Sequence, residues 1–447
     1  MTVKLFIYQF IRSREVRISL SLILILGLVG IFIGKEQVTQ QQNSINEVTA
    51  YQKSHFDRYV KAHNDDLGLL LYYVKFAYIN QPNSLNGISV GQSDVNPSIK
   101  RVTIKTFEAQ KHDTDLINPM NLQSGNLDLS FVLIYLFPLL IIVMTFNVLS
   151  EETDSGTWKL IAIQAKSKLL FIANKLMVRF LFVIVLTAIL FLVAKMVLSI
   201  PFSSELVIMF VLSVLYVAFW FSLSFFVVLF QKTSRFNALV LLSLWMILLI
   251  LIPSGVNAYI TSKYPVPEAL NTAIAQRDGY HTKWDTEKLP TIQKFYDHYP
   301  QFKKYGYPTE GFNWLWYYAM QQMGDDDSRS EQTALNDKIE LRQHATQQIA
   351  SIIPNMHIQM AFNHLAGTSM AQHTAYLEAT ADFHEKLRLF FYPRIFEKNY
   401  ADTVDWSQFS PEYYQANTKI DSLKVTLPLI LSSLLLLLIS IPRMRKL

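Results

Sequence analysis

The histidines of the C-terminal half are the first candidates for chemistry in this chain of 447 residues. At about 100° per residue, His357 and His364 share one face of a helix, as do His373 and His384, but Gly367 separates the two pairs. Two ligands on each face are too few for a closed zinc site. The spacing therefore favours solvated or core histidines over a metal centre.

A run of three acids, Asp325–Asp327, offers carboxylate ligands of the kind that calcium prefers. No D-x-D-x-D-G loop with a distal glutamate follows it. We therefore predict a solvated loop at this position. The strongly aromatic stretch 311–320 shortly before it is assigned to a small core or a membrane-surface contact rather than to ligand stacking.

Other motifs that carry chemistry are absent from the sequence. It has no G-x-x-x-x-G-K-S/T phosphate-binding loop and no G-x-S-x-G or H-E-x-x-H hydrolase motif. It also has no cysteine for disulfide, zinc-thiolate or thiol chemistry. We therefore expect no enzyme activity and no catalytic residue, cofactor or metal in this chain. Any nucleotide that drives it must be bound by another subunit.

Uncharged apolar runs divide the chain, in which 51% of the residues are hydrophobic. Runs of about 18 or more such residues predict membrane-spanning helices. The predicted fold is an all-α integral membrane protein with a minor β component, and its six spans are 18–34, 129–149, 176–198, 206–230, 236–252 and 425–441. Pro138 predicts a kink in the second span, with its freed carbonyl covered by a neighbouring helix. Pro253 is expected to end the fifth span.

Residues 1–17 place Phe6, Ile7 and Phe10 on one helical face together with Val3. This pattern predicts an amphipathic helix in the membrane interface, and a simple extension of the first span is the alternative. No A-x-A-like cleavage site follows the first apolar run. We therefore expect an uncleaved span rather than a signal peptide.

Two long polar segments, 35–128 and 254–424, follow the first and fifth spans. The first segment is expected to continue the helix to about Tyr78 and to contain a loop or strand region around Arg101–Phe107. The second is large enough for an independent domain. Its predicted helices are 331–352, 355–366 and a packed helix marked by the stripe Tyr376, Ala379, Phe383, Leu387 and Phe390.

The distribution of charge predicts the orientation in the membrane. The pieces assigned to the cytoplasm hold 14 Lys and Arg against 4 Asp and Glu, whereas 254–424 holds 16 against 20. Cytoplasmic loops of membrane proteins are enriched in Lys and Arg. Both termini are therefore predicted to be cytoplasmic and both long segments extracytoplasmic, in a multi-pass protein of a bacterial inner membrane. Its expected surroundings are membrane lipids and no nucleic acid.

The predicted spans carry few ionisable side chains, which an ion-driven carrier needs at membrane depth. Lys175 and Arg179 lie at the start of the third span and Lys195 near its outer end. At these positions long side chains are expected to snorkel to the interface. The spans therefore offer no visible proton path.

The loop 150–175 between the second and third spans holds the candidate site. It resembles the signature loop of ABC-2-type permeases, the membrane subunits of type V ABC exporters, through Glu151, Gly156, Thr157, the helix Trp158–Ile163 and the return from Ser167–Lys168 to Lys175. The six spans and the N-terminal amphipathic helix are similar as well. The chain departs from the family pattern at Gln164–Ala165, where a proline is common, and at Asn174, where a glycine is common.

The resemblance implies that the loop couples the chain to a separate ATPase subunit dimer, which would bind ATP and magnesium. The loop helix would enter a groove of that subunit, with Glu151 and Glu152 near its basic residues. A second permease subunit, identical or homologous, is implied too. The implied coupling residues are Glu151, Glu152, Gly156, Thr157, Trp158, Lys159 and Leu160.

The C-terminal half resembles a bacterial subgroup of these permeases that has a large extracytoplasmic domain between the last two spans. The residues that carry this resemblance are Ser351–Pro354, Leu365–Thr368, His373 and Phe383 to Leu387. An ATP-driven exporter permease is therefore the favoured function. The alternatives are an ATPase-coupled subunit that transmits force to periplasmic partners without moving a substrate, and a non-transporting receptor or scaffold.

Overall fold

The computed structural model describes residues 3–111, 126–164, 167–266, 282–308 and 310–445, together with 271, 274 and 278. Ala165, which the sequence analysis names, lies outside the described residues. Within the described ranges the chain is mostly helical, and six helices are long and apolar enough to cross a membrane. The prediction of a helical multi-pass membrane protein is confirmed.

The longer helices are, in chain order, α1 (Val3–Arg12), α2 (Arg14–Ala62), α3 (Leu67–Tyr73), α4 (Leu129–Asp154), α5 (Thr157–Gln164), α6 (Lys168–Val197), α7 (Ser204–Val228), α8 (Ser234–Lys263), α9 (Lys288–His298), α10 (Trp314–Ala350), α11 (Pro354–Ala366), α12 (Met370–Phe396) and α13 (Ser422–Met444). The strands are β1 (Phe76–Asn80), β2 (Ile99–Val102) and β3 (Glu412–Tyr414). Short helical turns cover Glu108–Lys111, Pro300–Tyr305, Ala401–Thr403 and Trp406–Gln408. The membrane-length helices are α2, α4, α6, α7, α8 and α13.

Small hydroxyl side chains mark where three of the membrane helices begin. Ser167, Ser203 and Thr233 each accept a hydrogen bond from the backbone N–H three residues later, at 3.3 Å in all three helices. Each bond satisfies one of the four amide groups that the first helical turn leaves free. The starts of α6, α7 and α8 are therefore encoded locally.

Pro138 lies inside α4 without ending the helix. The π-helical turn Val132–Leu136 precedes it. A proline has no N–H to donate to the carbonyl four residues earlier, which here belongs to Ile134. The hydroxyl of Tyr216 on α7 donates to that oxygen at 2.9 Å. The prediction that a neighbouring helix covers the freed carbonyl is confirmed.

Pro253 lies inside α8, and the prediction that it ends the fifth span is wrong. The π-helical turn Ile247–Leu251 precedes it, and the helix continues to Lys263. Pro253 has no N–H to donate to the carbonyl four residues earlier and, after a π-helical turn, none for the carbonyl five residues earlier. That carbonyl belongs to Leu248, and Nδ2 of Asn355 on α11 donates to it at 2.8 Å. The helix continues because another segment replaces the missing donor.

α2 is a single helix of 49 residues that ends at Ala62. The prediction that it continues to about Tyr78 is wrong, since Tyr78 lies in β1. The chain turns after Ala62, and Asp66 caps α3 by accepting a hydrogen bond from the N–H of Leu69 at 2.9 Å. An aspartate at this position favours a new helix start over continuation of the old helix.

Residues from both long polar segments form one extramembrane domain with its own hydrophobic core. Its sheet has the strand order β2-β1-β3, in which β1 pairs antiparallel with β2 and parallel with β3. The aromatic stretch 311–320 enters this core, where residues 315–320 are buried. The assignment of that stretch to a small core is confirmed.

The helices predicted in the second segment are present, with one change in extent. α11 and α12 cover the predicted positions, and Tyr376, Phe383 and Leu387 of the predicted stripe are buried. α10 begins at Trp314, well before the predicted start at 331. The aromatic side chains of its first turns pack in the core, so local composition alone does not show this helix start.

The acidic run Asp325–Asp327 lies within α10, and the prediction of a solvated loop is wrong. Asp325 is buried and its carboxylate lies 2.7 Å from the guanidinium of Arg388 on α12. The same carboxylate accepts a hydrogen bond from the N–H of Phe107 at 2.9 Å. Arg388 also donates to the carbonyl of Lys105 at 2.6 Å. This ion pair ties α10 and α12 to the segment after β2.

His357 and His364 contact backbone carbonyls at and just before the start of α13. Nε2 of His357 lies 2.7 Å from the carbonyl oxygen of Val425, and Nε2 of His364 lies 3.2 Å from that of Lys419. His384 is buried in the domain core, and burial lowers its pKa well below the usual value. Among the residues that the structure describes, no group of three or more His, Cys, Asp or Glu side chains is placed to hold a metal ion.

α11 packs with the membrane helices although the chain around it belongs to the extramembrane domain. Its Ile358 and Phe362 are buried in the same core as α7. Near this end of the bundle, α2 approaches the loop before β2 so closely that a Cβ on Gly34 would lie 1.8 Å from the carbonyl oxygen of Gly87. Only glycine fits there. The extramembrane domain is therefore joined to the bundle through both α2 and α11.

We predict that Arg388→Leu destabilises the extramembrane domain by about 3–5 kcal/mol, because it leaves the buried Asp325 carboxylate without its cation. Thermal unfolding of the detergent-purified chain and limited proteolysis of the domain measure this effect. Arg329→Leu is the control, since the side chain of Arg329 is largely exposed beside Asp326. A melting temperature of Arg388→Leu equal to that of the control would contradict the prediction.

Candidate coupling site at the basic end of the bundle

One end of the membrane bundle brings together α1, the loop 150–175, the turn between α7 and α8, and the end of α13. The guanidinium of Arg443 lies 3.7 Å from the ring centre of Phe230, and the hydroxyls of Ser150 and Ser234 are 2.6 Å apart. We call this the basic end of the bundle. The candidate site is therefore built where four separate parts of the chain meet.

The loop turns at Gly156, which has a φ of +74°. This left-handed conformation costs other residues roughly 1–2 kcal/mol. A Cβ placed on Gly156 would point into open space, so the conformation and not the available room requires glycine. Thr157 follows the turn and starts α5. Its hydroxyl donates to the carboxylate of Glu152 at 2.5 Å, which closes the turn.

Glu152 binds Lys175 across the loop. Nζ of Lys175 lies 2.5 Å from the Glu152 carboxylate, and the two side chains are 9% and 19% exposed, respectively. Lys175 also donates to the carbonyl of Val148 at 3.4 Å. This mostly buried ion pair fastens the end of α4 to the start of α6.

Arg179 fastens the same two helices one turn deeper. Its Nη1 donates to the carbonyl of Met144 on α4. Lys175 and Arg179, whose side chains were expected to reach the interface, thus have partners within the protein. Both side chains bind groups of α4, because that helix ends beside them and presents backbone carbonyls and the Glu152 carboxylate.

Aromatic side chains attach α1 and α5 to α6. The ring of Phe171 on α6 lies 5.3 Å from that of Phe6 on α1 and 6.4 Å from that of Trp158 on α5. Phe10 of α1 packs against Phe182 with ring centres 4.9 Å apart. Phe6 and Phe10 are buried as the predicted amphipathic face requires. Ile7, which was placed on that face, is exposed at 37%, together with other apolar residues of α1: Leu5, Tyr8 and Ile11.

The predicted coupling residues divide into two sets. Glu152, Thr157 and Trp158 contact other parts of the chain, and Gly156 shapes the turn between them. Glu151, Lys159 and Leu160 are exposed. Glu152 therefore does not share the solvent-facing position of Glu151, which the sequence analysis gave to both acids.

α5 presents an apolar edge to the outside. Leu160 is 61% exposed and Ile163 is 82% exposed. Large aliphatic side chains on a short helix, both turned away from the protein, form a surface suited to a groove on another protein. Ile163 belongs to the predicted loop helix but was not singled out, although its spacing of three residues from Leu160 places both on one face.

The roles of Lys175, Phe6 and Phe171 were also missed. A pair of acids at the end of one span and a lysine at the start of the next is a signal that could have predicted the Glu152–Lys175 pair. Nothing in the local pattern identifies Phe171 as the partner of both Phe6 and Trp158, because those contacts depend on how α1 folds back.

Two protein families match parts of the chain. Residues 269–415 are similar to a family described as a domain of unknown function (DUF3526), and residues 113–280 to one described as a protein of unknown function (DUF2705). No ABC-2 permease family is matched. No curated protein and no solved structure matches the chain. The first match covers most of the long segment before α13, and the second covers the loop 150–175 and the turn between α7 and α8.

We predict that Lys175→Met loosens the loop 150–164, because it leaves Glu152 mostly buried without its cation. Hydrogen–deuterium exchange of the backbone amides in this loop should become about tenfold faster or more. Lys159→Met is the matched control, since Lys159 is exposed on the same loop. Unchanged exchange in Lys175→Met, or equal acceleration in both variants, would show that the ion pair does not hold the loop.

Proposed function

We propose that this chain is the membrane permease subunit of an ATP-driven ABC transporter, acting as an exporter, in which a separate ATPase subunit moves the loop 150–175. The observation that carries the proposal is the exposed apolar edge of α5, held between two membrane helices by the Glu152–Lys175 pair. Such an edge offers a soluble partner a surface to bind, and the ion pair makes it move with the bundle.

The binding step uses Leu160, Ile163 and Glu151. Burial of the two aliphatic side chains in a groove of the ATPase would supply the hydrophobic part of the affinity. Glu151 is exposed at the end of α4 and would meet a basic side chain of the partner. The ATPase dimer would carry the ATP and magnesium, in agreement with the lack of a phosphate-binding loop in this sequence.

The transmission step uses the attachments of the loop. A force on α5 reaches α4 through Glu152 and Gly156, and it reaches α6 through Lys175 and Phe171. α4 and α8 each contain a π-helical turn, a feature frequent at functional sites of helices. A second permease subunit, identical or homologous, would complete the path, since α8 exposes an apolar face to the surroundings.

The proposed orientation places the basic end in the cytoplasm of a bacterial inner membrane. It rests on the excess of Lys and Arg at that end. Both termini would then be cytoplasmic, α1 would lie in the inner interface, and the extramembrane domain would be extracytoplasmic. The exposed residues of α1 would contact membrane lipids.

A second candidate function is supported by the attachment of the extramembrane domain. α11 joins the domain to the bundle through Asn355, which bonds to α8, and His357, which bonds to α13. A motion of the bundle would therefore reach the domain. In this alternative the ATPase drives the domain against periplasmic partners and no substrate crosses the membrane.

We predict that single cysteines report the proposed orientation, since the natural chain contains none. In intact spheroplasts a membrane-impermeant maleimide should label Tyr400→Cys and not Ile163→Cys, and in inside-out vesicles the pattern should reverse. Both residues are exposed, at 58% and 82%. Labelling of Ile163→Cys in intact spheroplasts would refute the orientation and, with it, the coupling role.

We predict that Ile163→Asp or Leu160→Asp abolishes association with the ATPase, because a carboxylate cannot enter an apolar groove without losing its hydration. The measurement is recovery of the ATPase with the tagged chain, together with ATP hydrolysis in proteoliposomes. Gln164→Asp is the control, an exposed polar position on the same helix.

Trp158→Asp and Gly156→Pro should uncouple transport from ATP hydrolysis while leaving membrane insertion intact. Normal transport by these variants would rule out the coupling role.

A further inference from the structure

A cavity of about 320 Å³ opens in the extramembrane domain between α2, α3 and β2. This volume is at the lower end of the range for small-molecule sites. Four tyrosines line it, Tyr51 and Tyr59 from α2 and Tyr72 and Tyr73 from α3. They supply apolar faces together with hydroxyl groups. The hydroxyls of these tyrosines form no hydrogen bond with any other residue in the described part of the chain.

Three cations also line this cavity: Lys75 before β1, Arg101 in β2 and Lys105 after it. None of the three forms an ion pair within the residues that the structure describes, and none of the described lining residues is acidic. Nζ of Lys105 lies 3.9 Å from the ring centre of Tyr72, a cation–π contact that leaves its charge uncompensated. The cavity is therefore strongly electropositive.

Like charges around one cavity oppose folding. Burial lowers the pKa of Lys105, and the charge of Lys75 lowers it further. Burial followed by Lys75 likewise lowers the pKa of His55 in the cavity wall. Neutral side chains would avoid this repulsion. The arrangement therefore suits a site in which a bound anion neutralises the positive charges.

The wall of the cavity is fixed before any ligand enters. The side chain of Gln52 accepts a hydrogen bond from the N–H of Ala77 at 2.7 Å and donates to the carbonyl of Phe409 at 2.8 Å. Nε2 of His55 accepts a hydrogen bond from the N–H of Lys75 at 3.2 Å. These bonds join α2 to β1 and hold the tyrosines and cations around a common space. A preformed site loses little freedom when it binds.

We propose that this cavity binds a small organic anion, a carboxylate or phosphate attached to an aromatic or other flat apolar body. The anionic group would lie among Lys75, Arg101 and Lys105, and the body would stack against the tyrosine rings. The tyrosine hydroxyls would donate to the same anionic oxygens. This site stands independently of the proposed transport role.

The position of the cavity favours an anion from solution over a lipid headgroup. Its α2 residues lie roughly 20–40 Å farther along the helix than Gly34, at the rise of about 1.5 Å per residue. Gly34 is at the predicted end of the first span. A headgroup that remains in the bilayer would not reach this far along α2.

The test is isothermal titration calorimetry of the full chain in detergent with phenyl phosphate, inorganic phosphate and phenol as probes. We expect phenyl phosphate to bind saturably with one site per chain, inorganic phosphate to bind at least about tenfold more weakly, and phenol to give no saturable heat. Added salt should weaken the binding of phenyl phosphate, because charge attraction contributes to it. Absence of saturable binding of phenyl phosphate, or equal binding of phenol, would overturn the proposal.

Variants locate the binding. Arg101→Gln and Lys105→Gln should each weaken phenyl phosphate about tenfold or more, and Arg101→Lys should recover part of the loss. Lys53→Gln is the matched control, an exposed lysine on α2 outside the cavity. Arg101 is exposed in β2, so its substitution leaves the domain core untouched. Equal affinities of Arg101→Gln, Lys105→Gln and the natural chain, or an equal loss in Lys53→Gln, would place the anion elsewhere.

A second experiment distinguishes a soluble anion from a lipid headgroup as the ligand. The chain is reconstituted in nanodiscs of phosphatidylcholine, with and without phosphatidylglycerol, and titrated with phenyl phosphate. Equal affinity in the two membranes supports an anion from solution. Loss of phenyl phosphate binding in the anionic membrane would mean that a lipid headgroup occupies the cavity, and would overturn the assignment to a soluble ligand.

Discussion

A proline inside a membrane helix leaves a carbonyl without its helical donor, and lipid offers no replacement. α4 and α8 both contain such a proline after a π-helical turn. Tyr216 supplies the missing donor for α4 and Asn355 supplies it for α8. The two prolines are thus compatible with a membrane-length helix only when α7 and α11 are already packed beside them.

This requirement explains why α11 belongs to the bundle. A helix between two parts of the extramembrane domain places Asn355 against α8 and His357 against α13. Its Ile358 and Phe362 fill the space between the membrane helices. The domain therefore cannot turn freely on the bundle. A change in the register of α8 at its π-helical turn would alter the contact that Asn355 makes, and the change would pass to α10 and α12 on either side of α11.

The spans and their caps could be predicted from the sequence because hydropathy and helix starts depend on neighbouring residues. The helix α11 could also be predicted, because Pro354 marks its start and Gly367 marks its end. Long-range pairing could not be predicted. Ile79 pairs with Tyr413 across most of the chain, and this parallel contact unites the two polar segments that the sequence analysis treated separately. No local pattern specifies such a partner.

The candidate site shows the same division. The turn at Gly156 and the exposed edge of α5 follow from residue type and spacing, and the loop could be located by its polarity between apolar runs. The inward position of Glu152 could not be predicted from the sequence. It depends on Lys175 lying beside Glu152 when α4 and α6 pack together. The prediction of a solvated loop at Asp325–Asp327 was wrong for a similar reason. Arg388, the partner of Asp325, is distant in sequence, and without it a run of acids is best explained by solvent.

Within the ranges that the structure describes, charged side chains are paired in two parts of the molecule and unpaired in a third. Asp325 with Arg388 and Glu152 with Lys175 are charges taken out of water together, so each offsets the desolvation of the other. Lys75, Arg101 and Lys105 surround one cavity with no such partner among the described residues. Their repulsion is reduced by water as long as the cavity is hydrated. Once an apolar body displaces that water, the local dielectric falls and only an anionic ligand keeps the site stable. Buried charges are thus paired with each other where they join helices, and, in the described part of the chain, the cations that line the cavity are unpaired where a ligand can enter.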